Sequence, residues 1–279
     1  MPELPELQAH AERLTTLLSG KELVGFRAIS FTALKTAVPP PDLAIGTPLH
    51  EVTRQGKYLL LRFPDLTFVI HLMQGGRLEP DPKQSAKPRG GLARWQFDGE
   101  PPALLLTEQS KEKRAGIWVV AGEPAEQAPL SGLGPDAQNI SAEAVTERLG
   151  IKSMRVHGWL RHQGMISGIG RRLGNEICHA AKLSPFASTS KLSEAERHRL
   201  TDAIHRCIEE SLVYERTRES MSSSKDRPGG VHHRTGEECP ACHDIVRAVS
   251  YSSYTVNYCA TCQTGGKVLA DNTTSRFLK

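Results

Sequence analysis

The 279-residue chain lacks several features that would assign it to a class at once. It has no run of 18 or more apolar residues, the length that a membrane span needs, which argues against an integral membrane protein. Its first residues, MPELPELQAH, carry acids where a secretion signal has a basic segment and then an apolar run, so we expect no export. With 38% hydrophobic and 24% charged residues, the composition excludes collagen-like, fully disordered and coiled-coil chains.

A strong net charge is also missing, since the formal value is only +4. The two halves differ, however. Residues 1–150 hold 16 Lys+Arg and 18 Asp+Glu, whereas residues 151–279 hold 19 and 13. A basic C-terminal half is what a phosphate-binding surface produces, although an ordinary solvated charged face gives the same count.

The pattern of apolar residues divides the chain into regions of different secondary structure, and the length allows two domains. Residues 4–20 have apolar side chains at helical spacing, which predicts an amphipathic helix. From about 22 to 122, short runs such as YLLLRF, TFVIHL and GIWVV alternate with turn residues, as in a β-sandwich or barrel. The pattern from 141 to 217, including WLRHQGMISGIG, predicts helices, and the polar, Gly-rich stretch 218–236 predicts a mobile loop.

Four of the six cysteines form two pairs with the spacing C-x2-C-x16-C-x2-C: Cys239, Cys242, Cys259 and Cys262. Four thiolates in two close pairs suit tetrahedral Zn²⁺. Two disulfides or a redox pair are the alternatives, which an intracellular setting and the lack of a βαβ pattern disfavour. We predict one structural zinc ion per chain, which staples a small β-hairpin. Cys178 and Cys207 lie in helical sequence and are expected in the core.

The N-terminal hexapeptide Met1-Pro2-Glu3-Leu4-Pro5-Glu6 has two interpretations. If Met1 is removed, Pro2 presents a secondary amine, and an α-amino group with a pKa of about 7.7–8.0 is partly neutral near pH 7. Such an amine can attack a carbonyl-like carbon and form an iminium, with Glu3 carrying protons. Proline and acids also favour the first turn of a helix, so the hexapeptide alone leaves both interpretations open.

Taken together, these features resemble the formamidopyrimidine-DNA glycosylase / endonuclease VIII family of base-excision-repair enzymes. The resemblance rests on MPELPE, the β-rich region, RQGKYLLL, a GIG motif and the terminal cysteine hairpin, in the family's order over nearly the full chain. It implies an α+β multidomain fold. The expected parts are an N-terminal catalytic β-sandwich with an N-terminal helix (1–124), a linker (125–138), a helix–two-turns–helix DNA-binding domain (139–225) and a zinc-finger module (226–279).

The resemblance also implies a bifunctional enzyme, a DNA glycosylase with abasic-site lyase activity that removes oxidised bases. Pro2 would be the nucleophile at C1′, Glu3 the acid/base at the sugar, and Lys57 a proton donor that meets a phosphate flanking the lesion. We expect a monomer that binds damaged duplex or single-stranded DNA, has no membrane partner and lies in the cytoplasm, at the nucleoid if the source is bacterial.

Five further residues are DNA-binding candidates by the same resemblance: Gln74, Arg114, Gly170, Arg171 and Arg172. Gln74, with Met73 as the alternative, aligns with the wedge that fills the gap left by a flipped base, and Arg114 aligns with a contact to the orphaned partner base. Gly170 ends the GIG turn, whose backbone can approach phosphate. Arg171 stands where the family has asparagine, and Arg172 adds charge.

The chain departs from the family at several positions. Ala115 replaces a stacking aromatic, and Tyr254 or Thr255 stands where the zinc hairpin carries an arginine. The 218–236 loop is also short. These departures favour oxidised pyrimidines, abasic sites or lesions in open DNA over 8-oxoguanine in duplex. They also support an alternative function, a catalytically weak relative that binds damaged or open DNA structures.

Overall fold

The structure is a computed structural model that describes residues 1–110, 112–222, 226–251 and 254–269. The chain forms two compact units, Met1–Gly132 and Leu133–Lys279. The division falls inside the stretch 125–138, where composition predicts a linker, and the finer domain boundaries stay predictions. None of the helices in the described ranges is long and apolar enough to cross a membrane.

The N-terminal unit contains eight strands in two antiparallel sheets. The strands are β1 (Leu23–Ala28), β2 (Glu51–Gln55), β3 (Tyr58–Arg62), β4 (Leu66–His71), β5 (Gly76–Pro80), β6 (Gly91–Phe97), β7 (Ala103–Glu108) and β8 (Gly116–Ala121). The first sheet has the order β1-β6-β7-β5 and the second has the order β2-β3-β4-β8. The predicted β-sandwich class is confirmed.

Aromatic side chains from both sheets meet in the core of this unit. Phe68 of the second sheet is fully buried, and its ring centroid lies 5.4 Å from that of Phe26 and 5.7 Å from that of Trp95 in the first sheet. The Phe68–Trp95 pair meets edge to face, the arrangement that the ring quadrupoles favour. Burial of these large apolar surfaces holds the two sheets face to face.

The predicted N-terminal helix is present as α1 (Leu4–Leu18). One apolar stripe faces the protein and is 0–2% exposed: Leu4, Leu7, Ala11, Leu14 and Leu18. Because these positions recur every three or four residues, they lie on one side of the helix. Four of these residues, Leu7, Ala11, Leu14 and Leu18, belong to the pattern that predicted the helix, whereas Leu17 of the same pattern is 37% exposed.

Two polar side chains of α1 bind the edge strands of the two sheets. The Thr15 hydroxyl accepts a hydrogen bond from the Val52 N–H and donates one to the Val52 carbonyl, both at 2.8 Å, on edge strand β2. The His10 Nε2–H donates to the Leu78 carbonyl, at 2.7 Å, on edge strand β5. The helix therefore satisfies backbone groups that edge strands leave open, and it is fixed against both sheets.

The C-terminal unit is helical with a small hairpin. Its elements are α2 (Ala142–Ile151), α3 (Val156–Leu160), α4 (Arg171–Ala180), α5 (Glu194–Arg216), β9 (Val246–Ser250), β10 (Thr255–Cys259) and α6 (Ala260–Thr264). Cys178 and Cys207 are buried core residues, as expected. Burial raises the pKa of Cys178, and raises that of Cys207 to about 12, so both stay protonated thiols.

The helical prediction for WLRHQGMISGIG is wrong beyond Leu160, where α3 ends. Residues 161–170 form turns. Gly168 has a φ of +99°, a backbone conformation that side-chain-bearing residues rarely adopt, and Ile169 next to it is fully buried. The apolar residues of this segment thus anchor a turn instead of continuing a helix.

His10 makes the stability of the fold depend on pH. Burial lowers the pKa of His10 from 6.5 to about 4. Between these values the unfolded chain binds more protons than the folded chain, so stability is fully present above pH 6.5 and is lost as the pH falls toward 4. The unfolding free energy of wild type should fall between pH 7 and 4.5. In His10→Gln, which keeps a donor for the Leu78 carbonyl, we expect this fall to be smaller by about 2–3 kcal/mol.

Urea unfolding followed by tryptophan fluorescence at several pH values measures this effect. His198→Gln, which removes an exposed imidazole from α5, is the control. A wild-type pH dependence in His10→Gln would show that His10 is not a neutral core residue.

Candidate active site

Strand register gathers several loops at one end of the second sheet. The β2–β3 hairpin turns at Lys57, directly before Tyr58. Tyr58 pairs with His71 at the end of β4, and His71 pairs with Gly116 at the start of β8. The loops at this end carry three of the predicted site residues: Lys57, Gln74 and Arg114.

The first helix runs toward the same end. Thr15 of α1 contacts Val52 of β2, and the Gln8 side chain accepts a hydrogen bond from Arg54 Nε at 3.2 Å. Moving toward the N-terminus of α1 therefore means moving along β2 toward its hairpin turn. Arg54 also donates to the Gly56 carbonyl at 3.0 Å, so it links α1 directly to that turn.

The dimensions of α1 and β2 indicate that the start of the chain lies at the same end of the sheet as Lys57. Glu3 precedes Gln8 by five residues, about 7.5 Å at the helical rise of 1.5 Å per residue. On β2, the same distance covers about two residues beyond Arg54. Pro2 and Glu3 therefore lie at the end of the sandwich that carries Lys57.

Glu3 is the N-cap of α1. Its N–H donates to the Glu6 carboxylate at 3.0 Å, and its own carboxylate receives the N–H of Glu6 in a reciprocal capping box. Glu3 is only 5% exposed, whereas Pro2, directly before it, is half-buried. Both interpretations of the hexapeptide thus fit one geometry, because the residues that start the helix also hold a carboxylate next to Pro2.

His71 is a site residue that sequence reasoning missed. Its ring centroid lies 4.7 Å from that of Tyr58 with the two planes tilted by 59°, and its Nδ1 accepts the N–H of Met73 at 3.2 Å. Burial lowers the pKa of His71 to about 4, and the Lys57 ammonium contributes to the decrease. His71 is therefore neutral at physiological pH, with its proton on Nε2. A histidine at a strand end before a glycine-rich turn was the available signal.

The turn after His71 presents Gln74 to solvent. The Gly76 N–H bonds the Leu72 carbonyl at 2.8 Å, and a Cβ on Gly76 would lie 2.2 Å from that oxygen, so only glycine closes this turn. Met73 is half-buried with a φ of +53°, and Gln74 is exposed at the tip. Of the two candidate wedge residues, Gln74 has the accessible position.

Arg114 and Ala115 have opposite environments. The Arg114 side chain is 65% exposed and pairs with the exposed Glu112. Ala115 is 1% exposed, and its N–H donates to the buried Glu108 carboxylate at 2.7 Å. The position aligned with a stacking aromatic therefore points into the protein, where a larger side chain would be overpacked.

In the C-terminal unit, the Gln163 side chain shapes the turn that precedes α4. Its Oε1 accepts the Gly168 N–H at 3.0 Å, and its Nε2 donates to the carbonyls of Ile169 and Arg161, both at 2.9 Å. Gly170 follows as the N-cap of α4. A helix N-terminus favours anions, so this turn places Gly170 and the half-buried Arg171 where a phosphate could bind.

Arg172 has a different role from the one expected. It is 4% exposed, and its guanidinium donates to the carbonyls of Pro228, at 2.9 Å, and of Arg227. The side chain therefore holds a loop of the protein. The sequence showed two adjacent arginines, but it did not show that the second one lies on the inner face of α4.

The Glu176 side chain anchors the same loop by binding the loop's backbone N–H groups. Its carboxylate accepts the N–H groups of Gly230 at 2.7 Å, Val231 at 3.1 Å and His232 at 2.7 Å. Nearby, the fully buried Glu215 accepts a hydrogen bond from the Arg227 guanidinium at 3.4 Å. These contacts tie down part of the stretch 218–236, for which composition predicted a mobile loop.

The four predicted metal ligands converge. The Sγ atoms of Cys239, Cys242, Cys259 and Cys262 all lie within 4.8 Å of one another. Cys239 and Cys262 are 3.9 Å apart, and Cys242 and Cys259 are 3.3 Å apart. Zn–S bonds of about 2.3 Å in a tetrahedron place sulfurs about 3.8 Å apart, whereas a disulfide needs about 2.05 Å. The cluster can therefore hold a metal ion.

Helix α4 is bonded directly to this cysteine module. His179 Nε2 lies 3.3 Å from the Cys239 Sγ, and Asn175 donates to the Asn257 side chain at 3.3 Å. Together with Glu176, these residues form one polar face of α4, of which sequence reasoning missed Asn175 and His179. Metal ligands commonly have such outer hydrogen-bond partners, which orient them.

Known proteins resemble this chain over both units. The profile of the formamidopyrimidine-DNA glycosylase N-terminal domain matches residues 1–111. An uncharacterised formamidopyrimidine-DNA glycosylase-like protein of Mycobacterium tuberculosis is 40% identical over 169 residues, 57% of this chain and 100% of that protein. The formamidopyrimidine-DNA glycosylase of Chloroflexus aurantiacus is 27% identical over 278 residues, 94% of this chain and 98% of its own.

Solved structures share the fold. The Lactococcus lactis formamidopyrimidine-DNA glycosylase, crystallised with DNA that contains an abasic site, matches with a TM-score of 0.82 and 19% identity, over 94% of this chain and 99% of that chain. Its complex with DNA that contains an oxidised pyrimidine matches with a TM-score of 0.83, 19% identity, and 94% and 100% coverage. The relative from Mycobacterium tuberculosis, 40% identical and matched over its whole length, establishes the family. The chain belongs to the formamidopyrimidine-DNA glycosylase family.

The role of Glu176 can be tested by hydrogen exchange. A carboxylate that accepts three backbone N–H groups holds them more strongly than an amide can, because charged acceptors form the stronger bonds. We expect Glu176→Gln to speed exchange of the Gly230, Val231 and His232 amides by about 10- to 100-fold. Glu209→Gln, at an exposed position on α5, is the control. Equal protection in both variants would contradict the anchoring role.

Proposed function

We propose that this protein excises oxidised bases from DNA through the amine of Pro2 and then cleaves the resulting abasic site. As a member of its family it is a base-excision-repair DNA glycosylase, an enzyme that binds DNA. The observation that supports the Pro2 mechanism is the convergence of Pro2, Glu3, Lys57, Gln74 and Arg114 at one end of the sandwich. Excision requires a nucleophile, a proton carrier and phosphate-binding cations together, and this end holds candidates for each.

The chemistry begins with the neutral amine of Pro2 once Met1 is gone. Its lone pair attacks C1′, the glycosidic C1′–N bond breaks with its electrons leaving on the base, and the sugar ring opens to an iminium. Glu3 takes and returns the protons of these steps. Loss of a proton from C2′ then expels the 3′ phosphate, and water releases the sugar from Pro2.

The cations at this end act on the DNA backbone and the lesion. We assign Lys57 to a phosphate flanking the lesion, where its compact charge is suitable and where the neutral His71 beside it adds no repulsion. Exposed Gln74 would fill the gap left by the flipped base, and exposed Arg114 would bond its partner. In the C-terminal unit, Gly170 and Arg171 would bind a further phosphate.

We further propose that the cysteine cluster holds one structural Zn²⁺. Four thiolates leave no open coordination position, so the ion would stabilise the β9–β10 hairpin and take no part in the reaction. We keep 1–124, 125–138, 139–225 and 226–279 as the proposed domains, and a monomer acting on DNA in the cytoplasm or nucleoid as the working form.

Borohydride trapping on abasic DNA tests the nucleophile. A variant with an uncleavable residue before Pro2 has an amide there, without a usable lone pair, and we expect no covalent adduct. Glu3→Gln keeps an acceptor for the helix cap but cannot carry protons, so base excision should fall by about 10²- to 10⁴-fold while DNA binding is retained. Pro5→Ala in the same helical turn is the control and should still be trapped.

A wild-type protein that binds DNA but forms no adduct with any lesion would support the alternative of a catalytically weak binder. Trapping that persists after Pro2 is blocked would contradict the Pro2 mechanism.

Elemental analysis tests the metal. We expect one zinc ion per chain, and we expect Cys262→Ser to lose it and to weaken DNA binding, because metal binding supplies the folding energy of such a small module. Cys207→Ala, in the core of α5, should retain the metal. Active protein without zinc would overturn this assignment.

A further inference from the structure

Two tyrosines flank the connection between β9 and β10. The rings of Tyr251 and Tyr254 stack with centroids 4.7 Å apart and planes 11° from parallel. Their backbones are joined as well, since the Tyr251 N–H donates to the Tyr254 carbonyl at 2.8 Å. Both rings are half-buried. This end of the hairpin is therefore a fixed aromatic surface.

The Arg161 side chain lies on this surface. Its Cζ is 4.5 Å from the centroid of the Tyr254 ring, within the range of a cation–π contact. Arg161 directly follows α3 as its C-cap, and its Cγ lies 3.7 Å from the position of a Cβ on Gly174 in α4. The guanidinium therefore sits where α3, α4 and the hairpin meet, held by the Arg161–Tyr254–Tyr251 stack.

Within the described residues, no carboxylate pairs with this guanidinium. Over residues 1–110, 112–222, 226–251 and 254–269, Arg161 forms no ion pair, whereas Arg227, Arg234 and Arg247 of the same unit each pair with a carboxylate. Its neighbour His157 is neutral, because burial and the Arg161 charge lower the pKa of His157 to about 4. The stack thus presents a positive charge that is positioned by aromatic contact.

A second cation lies next to the stack. Arg155 is exposed, donates to the Phe186 carbonyl at 2.6 Å, and acts electrostatically on Tyr251, whose ring lies 6.4 Å from that of Phe186. Two arginines therefore border one aromatic surface, and both belong to the basic surplus of residues 151–279. Such a combination of charge and aromatic faces is typical of nucleic-acid-binding surfaces.

We propose that Arg161, oriented by Tyr254, binds a phosphate of the DNA backbone. A planar guanidinium presents its N–H donors in a fork that matches phosphate oxygens, and stacking on a ring fixes its plane while leaving those donors at the edge. The resemblance implies an arginine at Tyr254 or Thr255 of the hairpin, and Arg161 places a guanidinium against the Tyr254 ring. The identity of the ligand as DNA rests on the proposed function.

The salt dependence of DNA binding tests the proposal on the zinc-loaded full chain. Each phosphate contact on duplex DNA adds about 0.9 to the slope of log K against log [salt]. We expect Arg161→Gln to lower the slope by about that amount and to weaken binding uniformly across sequences, measured by fluorescence anisotropy on undamaged duplex. Arg206→Gln removes one exposed charge from α5 and should leave the slope unchanged.

The tyrosine variants test the stack itself. Tyr254→Phe keeps the aromatic face and should bind as wild type does, whereas Tyr254→Ala should lose part of the slope. An unchanged slope for Arg161→Gln, or an equal loss for Arg206→Gln, overturns the proposal. If Arg161→Gln loses zinc or helix content, Arg161→Lys replaces it in the test. Weaker DNA binding by Arg161→Lys with the wild-type salt slope supports the role of the stack, and wild-type affinity refutes it.

Borohydride trapping of the same variants separates this proposal from the proposed function. Trapping of wild type with an unchanged slope for Arg161→Gln means that the enzyme assignment stands and the Arg161 assignment fails. If Arg161→Gln reduces the slope but wild type cannot be trapped, the Arg161 assignment stands and the enzyme assignment fails.

Discussion

The position of α1 is the constraint on which the chemistry of the N-terminal unit depends. Thr15 binds the backbone of one edge strand and His10 binds that of the other, so the helix cannot shift along either sheet. Its apolar stripe supplies burial energy, but burial alone tolerates sliding, whereas directed hydrogen bonds do not. Because Glu3 begins this helix and Pro2 precedes it, the same bonds fix the chain start at the level of Lys57.

In the C-terminal unit, α4 has the corresponding role. It follows the turn that Gln163 shapes, and its polar face binds the C-terminal loop and the cysteine module through Asn175, Glu176 and His179. A module of this size has too little apolar area to hold itself in place, so the contacts to α4 give it an external support beside any metal ion that the cysteine cluster holds.

The arginines show why a count of basic residues does not locate a binding surface. Arg172 and Arg227 are buried and bond to the protein's own carbonyls and carboxylate. Arg161 has an aromatic neighbour and no carboxylate in the described part of the chain. Both kinds contribute equally to the charge of the C-terminal half. Only the partners of each guanidinium distinguish an arginine that stabilises the fold from one that can meet a phosphate.

The sequence by itself determined the features that depend on local spacing. The helical period of Leu4 to Leu18 identified α1, alternating short runs identified the sandwich, and two close cysteine pairs identified the metal cluster, since each pattern reflects neighbours along the chain. Tertiary structure decided the partners of single polar side chains. Glu176, Arg172, His71 and Arg161 each interact with groups distant in sequence or on another element, and no local pattern encodes such contacts. For the same reason, apolar periodicity did not show that α3 ends at Leu160 or that Gly168 and Ile169 belong to a turn.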